Sequence, residues 1–252
     1  NTIACSNTRI TISLQGTNPW VDENNKHGRR PEASTLTVYA DGVALDPQPI
    51  PVWGNTGTSD WSYTFTDLPR YRKGTLTHVN YTVAESIPAD YLADASLVSG
   101  TRNATTGNVT AADFTNRLAT ITIAGTKTWL DATDHYHMRP SDITLTVKNG
   151  SSTLSPQPTV AWTKPNGSNQ WTYSFSGVPR YEKGTTTPIN YTVTETPTGG
   201  YALTTDATVG GTVDAATGNV SAANFTNELI TISLSGSKVW SDYNDYYAMR
   251  PT

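Results

Sequence analysis

The chain has 252 residues, 36% of them apolar and 15% charged, and a net charge of −4. Seven Trp and 13 Tyr supply enough bulky aromatic surface to build cores, which excludes wholesale disorder, and the length allows one large domain or two ordinary ones. The negative balance argues against nucleic acid or an anionic membrane as partner, and no apolar run approaches the roughly 18 residues of a membrane span.

In chain order the apolar pattern is that of short strands. Ile10-Thr11-Ile12-Ser13-Leu14, Leu36-Thr37-Val38-Tyr39, Trp61-Ser62-Tyr63-Thr64-Phe65 and Tyr81-Thr82-Val83 alternate apolar and polar with period two, and β-branched and aromatic residues dominate them. Turn formers separate them, among them Asp41-Gly42, Pro47, Pro49, Pro51, Asn149-Gly150 and Gly199-Gly200. No long stretch carries a 3.6-residue period. The expected architecture is an all-β sandwich of two antiparallel sheets.

The chain also repeats itself. Gly16-Thr17-Asn18-Pro19-Trp20, Gly125-Thr126-Lys127-Thr128-Trp129 and Gly236-Ser237-Lys238-Val239-Trp240 recur about 110 residues apart, each followed by a polar loop and an Arg-Pro pair (Arg30-Pro31, Arg139-Pro140, Arg250-Pro251). Tyr63-Thr64-Phe65, Pro69-Arg70-Tyr71, Asn80-Tyr81-Thr82-Val83 and Phe114-Thr115-Asn116 return as Tyr173-Ser174-Phe175, Pro179-Arg180-Tyr181, Asn190-Tyr191-Thr192-Val193 and Phe225-Thr226-Asn227. The expected division is residues 1–7 as the last strand of a preceding repeat, 8–117 and 118–228 as two complete repeats, and 229–252 as the first strand and loop of a following one. Two complete modules cut from a longer array are therefore expected. No Gly/Ser/Pro linker separates Asn116 from Lys127, so the modules are expected to form a stiff rod.

Strand parity carries three polar residues into the second core. Lys127 shares a face with Ile121 and Ile123, Glu195 with Tyr191 and Val193, and Asn227 with Phe225. A lone buried Lys or Glu is costly, so such groups pair or neutralise.

Together the Gly-Thr-Lys-Thr-Trp block, the Arg-Pro, the Tyr-Ser-Phe and Val-Pro-Arg-Tyr blocks, Tyr191-Thr192-Val193-Thr194-Glu195 and the terminal Phe-Thr-Asn resemble the Cna protein B-type (CnaB-like) repeat domain of Gram-positive surface adhesins and pilins. The resemblance implies tandem inverse immunoglobulin-like β-sandwiches. It also implies a spontaneous isopeptide bond between Lys127 and Asn227, promoted by Glu195 as the catalytic acid. In that chemistry the desolvated amine must be neutral to attack. A buried, protonated acid polarises the carboxamide oxygen and shuttles protons as ammonia leaves.

The first repeat departs from this pattern. Its lysine position holds Asn18, while Glu85 and Asn116 remain, so a hydrogen-bonded cluster without a cross-link is expected. Lys26 lies in the following loop, off the strand face. Asn7 and Lys238 are candidate partners for the flanking repeats, or for each other in a head-to-tail assembly.

Weaker signals complete the reading. Cys5, the sole cysteine, excludes a disulfide framework and is expected as a small buried residue on the terminal strand. His135 and His137 read as loop residues, and no metal or cofactor is expected. Asp131, Asp134, Asp242, Asn244 and Asp245 carry ligand-type oxygens but lack the Gly and terminal Glu of an EF-hand loop. Arg70 and Arg180 stand beside Tyr71 and Tyr181 at expected turns. The expected role is a structural stalk or spacer of an extracellular, cell-wall-attached adhesin, fibre or pilus, not a turnover enzyme. Its expected partners are neighbouring repeats of the same array, with host or environmental ligands held by other domains. The alternative is a module that itself binds ligand, for which Tyr136, Tyr243, Tyr246 and Tyr247 are the candidates because they fall outside the repeated core positions.

Overall fold

A computed structural model describes residues 7–251. Cys5 and the strand expected over 1–7 lie outside the described residues, apart from Asn7, which is exposed. The described chain contains strands and turns and no helix.

The first copy comprises β1 (Thr11–Val21), β2 (Thr35–Ala40), β3 (Val43–Ala44), β4 (Val52–Gly54), β5 (Asp60–Pro69), β6 (Tyr81–Ser86), β7 (Tyr91–Ala93), β8 (Leu97–Val98), β9 (Thr101–Arg102), β10 (Val109–Thr110) and β11 (Asn116–Leu118). The second repeats this order with β12 (Thr120–Leu130), β13 (Leu145–Asn149), β14 (Ser152–Thr153), β15 (Val160–Thr163), β16 (Gln170–Pro179), β17 (Tyr191–Glu195), β18 (Tyr201–Leu203), β19 (Thr208–Val209), β20 (Thr212–Val213), β21 (Val220–Ser221) and β22 (Phe225–Leu229).

Each copy is a two-sheet immunoglobulin-like sandwich. In the first, a seven-stranded sheet runs β4-β5-β1-β10-β9, with β11 joining β1 to β7, and faces a four-stranded sheet β3-β2-β6-β8. The second copy has the same two sheets, β15-β16-β12-β21-β20 with β22 and β18, and β14-β13-β17-β19. One expectation is corrected here: the larger sheets are mixed, not antiparallel. The first strand pairs parallel with the last ones, Trp20 opposite Asn116 and Trp129 opposite Asn227. Parallel neighbours need a long crossover, and the whole module between first and last strand supplies it.

The period-two pattern puts alternate residues of β12 in the core, so Ile121, Ile123, Lys127 and Trp129 are all buried. All four Phe are buried with them, two per copy. Trp129 packs edge-on against Trp171 and Tyr201 at centroid distances of 5.1 and 4.9 Å, and Trp20 packs the same way against Trp61 and Tyr91. Gly125 has a specific reason to be glycine: a Cβ there would run into the Ala223 carbonyl, which also accepts the Tyr173 hydroxyl. Gly16 meets Ala112 and Tyr63 in the same way.

Leu118 pairs with Tyr91 and joins the Trp20 cluster, so it closes the first copy. A single residue, Ala119, separates β11 from β12. Residues 230–240 repeat the sequence of a first strand without forming one, and Ile232 and Leu234 stand 93% and 97% exposed. A strand needs a neighbour for its backbone hydrogen bonds, and among the described residues this segment has only the bond from the Ile230 amide to the Gly200 carbonyl.

Candidate functional site

The site of the second copy is built from three strands. Lys127 sits on β12 with its side chain turned inward, two residues before the buried Trp129. The parallel register of β12 and β22 sets Asn227 opposite Trp129, so its inward side chain lies just ahead of the lysine. Glu195 ends β17 on the facing sheet, opposite Leu145, and enters from across the sandwich. Lys127 is fully buried, and Glu195 and Asn227 are each 1% exposed.

Lys127 Nζ donates to both Glu195 oxygens at 2.8 Å, and Asn227 Nδ2 donates to Glu195 Oε1 at 2.7 Å. One carboxylate oxygen is therefore shared by amine and carboxamide. Asn227 Oδ1 is buried with no hydrogen-bond partner. Rotating that carboxamide by half a turn exchanges its nitrogen and oxygen, and would bring Oδ1 to a protonated Glu195. Burial lowers the pKa of the Lys127 amine, against the opposing pull of the Glu195 hydrogen bond and charge. Nζ also lies 4.8 Å from the centre of the Trp129 ring.

The first copy assembles the matching residues without an amine. Asn18 and Asn116 are fully buried and Glu85 is 7% exposed. Asn18 Nδ2 donates to Glu85 Oε1 at 2.7 Å, and Asn116 Nδ2 donates to Asn18 Oδ1 at 2.9 Å and to the Glu85 oxygens at 3.0 and 3.1 Å. Ser34, which the sequence reading missed, approaches Asn18 Nδ2 at 3.5 Å and is itself buried. Lys26 is not brought to this cluster; its amine pairs with Glu23 on the surface at 2.6 Å. Asn7 is exposed, and Lys238 lies on the exposed segment with its amine over the Trp240 ring.

A second group escaped sequence reasoning. Arg139 forks onto Asp131, Nε to Oδ2 at 2.9 Å and Nη2 to Oδ1 at 2.6 Å, while the Tyr201 hydroxyl and the Asp134 amide also donate to Asp131. Arg30 and Asp22 repeat this fork in the first copy, and Arg250 and Asp242 repeat it near the C-terminus. The signal was present as an Asp and an Arg at one constant spacing in all three loops. The fork accounts for the acidic loop residues: Asp131 spends its oxygens on protein donors. It also anchors the loop beside Lys127, because the Arg139 guanidinium lies 5.5 Å from the Trp129 ring centre.

The remaining candidates sit on the surface. Arg70 and Arg180 stack over Tyr71 and Tyr181 and hold the carbonyls of Thr105 and Ala216. His135 packs edge-on to Tyr136. Tyr136, Tyr243, Tyr246 and Tyr247 are exposed. No helix among the described residues is long and apolar enough to cross a membrane.

The chain is 30% identical over 243 residues to a collagen adhesin of Staphylococcus aureus, covering 96% of this chain and 18% of that protein. Two B repeat units of the S. aureus collagen binding protein share 25% identity over 87% of this chain and 50% of theirs, with a TM-score of 0.30. A major pilin of Streptococcus pyogenes shares 14% identity over 88% of this chain and 100% of its own, with a TM-score of 0.40. The family model for the Cna protein B-type domain matches twice, at residues 14–110 and 123–216, one match inside each sandwich, and the chain belongs to that family.

Proposed function

We propose that the chain is a stalk segment of an extracellular, cell-surface adhesin or fibre, and that its second module is locked by an amide between Lys127 and Asn227. The observation that carries this reading is the shared Glu195 oxygen. An amine and a carboxamide from opposite ends of the module meet on one acid in a core without solvent access.

The chemistry follows from that arrangement. A proton passes from Lys127 to Glu195 along their 2.8 Å hydrogen bond, turning a buried ion pair into a neutral amine and a neutral acid. Loss of charge is favoured in the dry core, and no outside base is needed. Glu195 then donates to Asn227 Oδ1, and the Nζ lone pair attacks Cγ. The tetrahedral carbon collapses by breaking its bond to Nδ2. Glu195 moves one proton from Nζ to that nitrogen, which leaves as ammonia, and takes back the proton it lent to Oδ1, so it ends as the neutral acid. Folding has already brought the reactants into contact, which supplies the effective molarity. The reaction is self-directed and happens once per molecule.

For a stalk, the consequence is mechanical. β12 and β22 are neighbouring parallel strands at the two ends of the module, so pulling them apart would load the amide instead of the hydrogen-bond ladder. The test is the intact mass of the purified chain. It should fall one ammonia below the sequence mass, and Lys127→Ala should restore the full mass. A full mass in the unsubstituted chain removes the bond and leaves an uncrosslinked spacer.

A further inference from the structure

The chain holds two Asn-Gly pairs, Asn149-Gly150 and Asn166-Gly167. A glycine amide nitrogen has no Cβ beside it, so it reaches the carboxamide carbon of a preceding Asn more readily than the amide of any residue with a side chain. The two pairs stand in different surroundings.

Asn149 is half-buried at the end of β13, in register with Ser152 of β14 and Tyr191 of β17. Its Nδ2 donates to Glu182 Oε1 at 3.0 Å. Asn166 and Gly167 are the exposed middle of the turn between β15 and β16, which the Ser168 amide closes on the Pro165 carbonyl at 3.1 Å. Gly167 takes a φ of 69°, and a Cβ added there would meet open space. Thr56 and Gly57 hold the matching place in the first copy, in a turn closed by the Thr58 amide on the Asn55 carbonyl. They are exposed even though Lys183 of the second copy donates to Gly28 in the loop after β1, so a following module leaves this turn open.

The turn also holds the loop beside Lys127. Arg139 donates from Nη1 to the Ser168 carbonyl at 2.8 Å and from Nη2 to Asn169 Oδ1 at 3.0 Å, and the Trp129 amide donates to the Asn169 carbonyl at 2.8 Å.

We propose that Asn166 is a site of spontaneous deamidation, and that the isoaspartate formed there loosens the turn's hold on Arg139. When the turn opens locally, the Gly167 nitrogen attacks Asn166 Cγ and gives its proton to water. The bond from Cγ to Nδ2 breaks, and Nδ2 takes a proton and leaves as ammonia. Water then opens the five-membered imide. Cleavage between Cγ and the Gly167 nitrogen yields aspartate. Cleavage between the Asn166 main-chain carbonyl and that nitrogen routes the backbone through the side chain, as isoaspartate. One water is consumed, one ammonia is released, and a carboxylate replaces the carboxamide in a cleft lined also by Arg139 and Lys164. In isoaspartate the backbone gains one methylene carbon, which separates Ser168 from Pro165 and draws the Ser168 carbonyl off Arg139. The proposal does not depend on the isopeptide bond.

The test keeps the purified chain at mildly alkaline pH for several weeks and maps it with chymotrypsin, whose cut after Trp162 separates the two pairs. The peptide carrying residue 166 should gain one mass unit and accept methyl groups from an isoaspartyl methyltransferase. The peptide carrying residue 149 should lag by at least about tenfold, because a strand end opens less often than an exposed turn. Hydrogen exchange of the Ser168 amide should rise in the aged chain. Asn166→Thr, which copies the first module's residue, should age without either change at this turn. Absence of isoaspartate at 166, or equal rates at 149 and 166, overturns the site. Unchanged Ser168 exchange in a chain fully converted at 166 overturns its effect on the turn.

Discussion

Asn18 and Lys127 occupy the same place in their modules: each donates to Oε1 of its glutamate, at 2.7 and 2.8 Å, and each lies on the first strand opposite a tryptophan, Trp61 or Trp171. The first copy thus retains the acid and the acceptor carboxamide, and differs at the position of the nucleophile. A carboxamide nitrogen shares its lone pair with the carbonyl and does not attack.

Asn18→Lys should therefore supply the missing amine. The extended side chain would project toward Glu85 and Asn116, into the space now filled by Asn18 and bordered by Ser34. The expected result is a mass lower by a second ammonia. Asn18→Met, similar in bulk but without an amine, should show no second loss. An unreacted Asn18→Lys chain that folds normally would mean that Pro19, where the second copy has Thr128, holds the strand out of reach.

An amide between Lys127 and Asn227 should carry most of the second module's stability margin. A cross-link closing a loop of about 100 residues contributes about 4–5 kcal/mol by the chain-entropy reasoning used for disulfides. Glu195→Gln keeps the shape but cannot accept and return the proton. It should leave the mass uncorrected and lower the melting temperature of the second module by at least about 15 °C. Calorimetry resolves the modules if the first melts at its usual temperature. An unchanged upper transition would show that the amide adds nothing at equilibrium.

The inward placement of Lys127, Glu195 and Asn227 was legible because a strand's two-residue period assigns each side chain to a face, and each shares a strand with apolar residues that must face inward. What escaped is what has no period. The parallel register that pairs Trp129 with Asn227 depends on strands about a hundred residues apart, and no local pattern encodes it. The Asp131–Arg139 fork lies in a loop where Ala132, Thr133 and Asp134 take successive positive φ values of 50, 62 and 56°, so strand parity does not extend into it. The contact between the copies, in which Arg29 donates to the Tyr181 carbonyl and Lys183 to the Gly28 carbonyl, escaped for the same reason, since it joins two irregular segments from different copies.

Stretching a single molecule separates the copies by a different criterion. In the first, hydrogen bonds alone hold β1 to β11, so force should unravel it with a gain on the order of 35 nm for about 100 residues. In the second, the amide would confine residues between Lys127 and Asn227. One long step per chain is expected, and Lys127→Met should add another. Two long steps in the unsubstituted chain would place the load path outside the amide.

The loop forks set an acid limit on both modules. Burial alone would raise the pKa of Asp131, but the Arg139 fork, the Asp134 amide and the Tyr201 hydroxyl outweigh it and hold the carboxylate below its ordinary value of 3.8. Asp22 is depressed in the same way against Arg30, the Asn25 amide and Tyr91. A depressed carboxylate contributes stability in full above its unfolded pKa and loses it as the pH falls through the lower folded value. Both forks should therefore be intact at neutral pH and fail together below about pH 4. Each Arg stacks on the tryptophan of its own first strand, so Trp fluorescence should report the release. Asp131→Asn should cost about 3 kcal/mol at pH 7, because it leaves Arg139 without its charge partner, and should remove the second module's share of the acid transition. If Asp131→Asn leaves the acid limb of that module unchanged, other carboxylates set the limit and the fork is only a shape constraint on the loop.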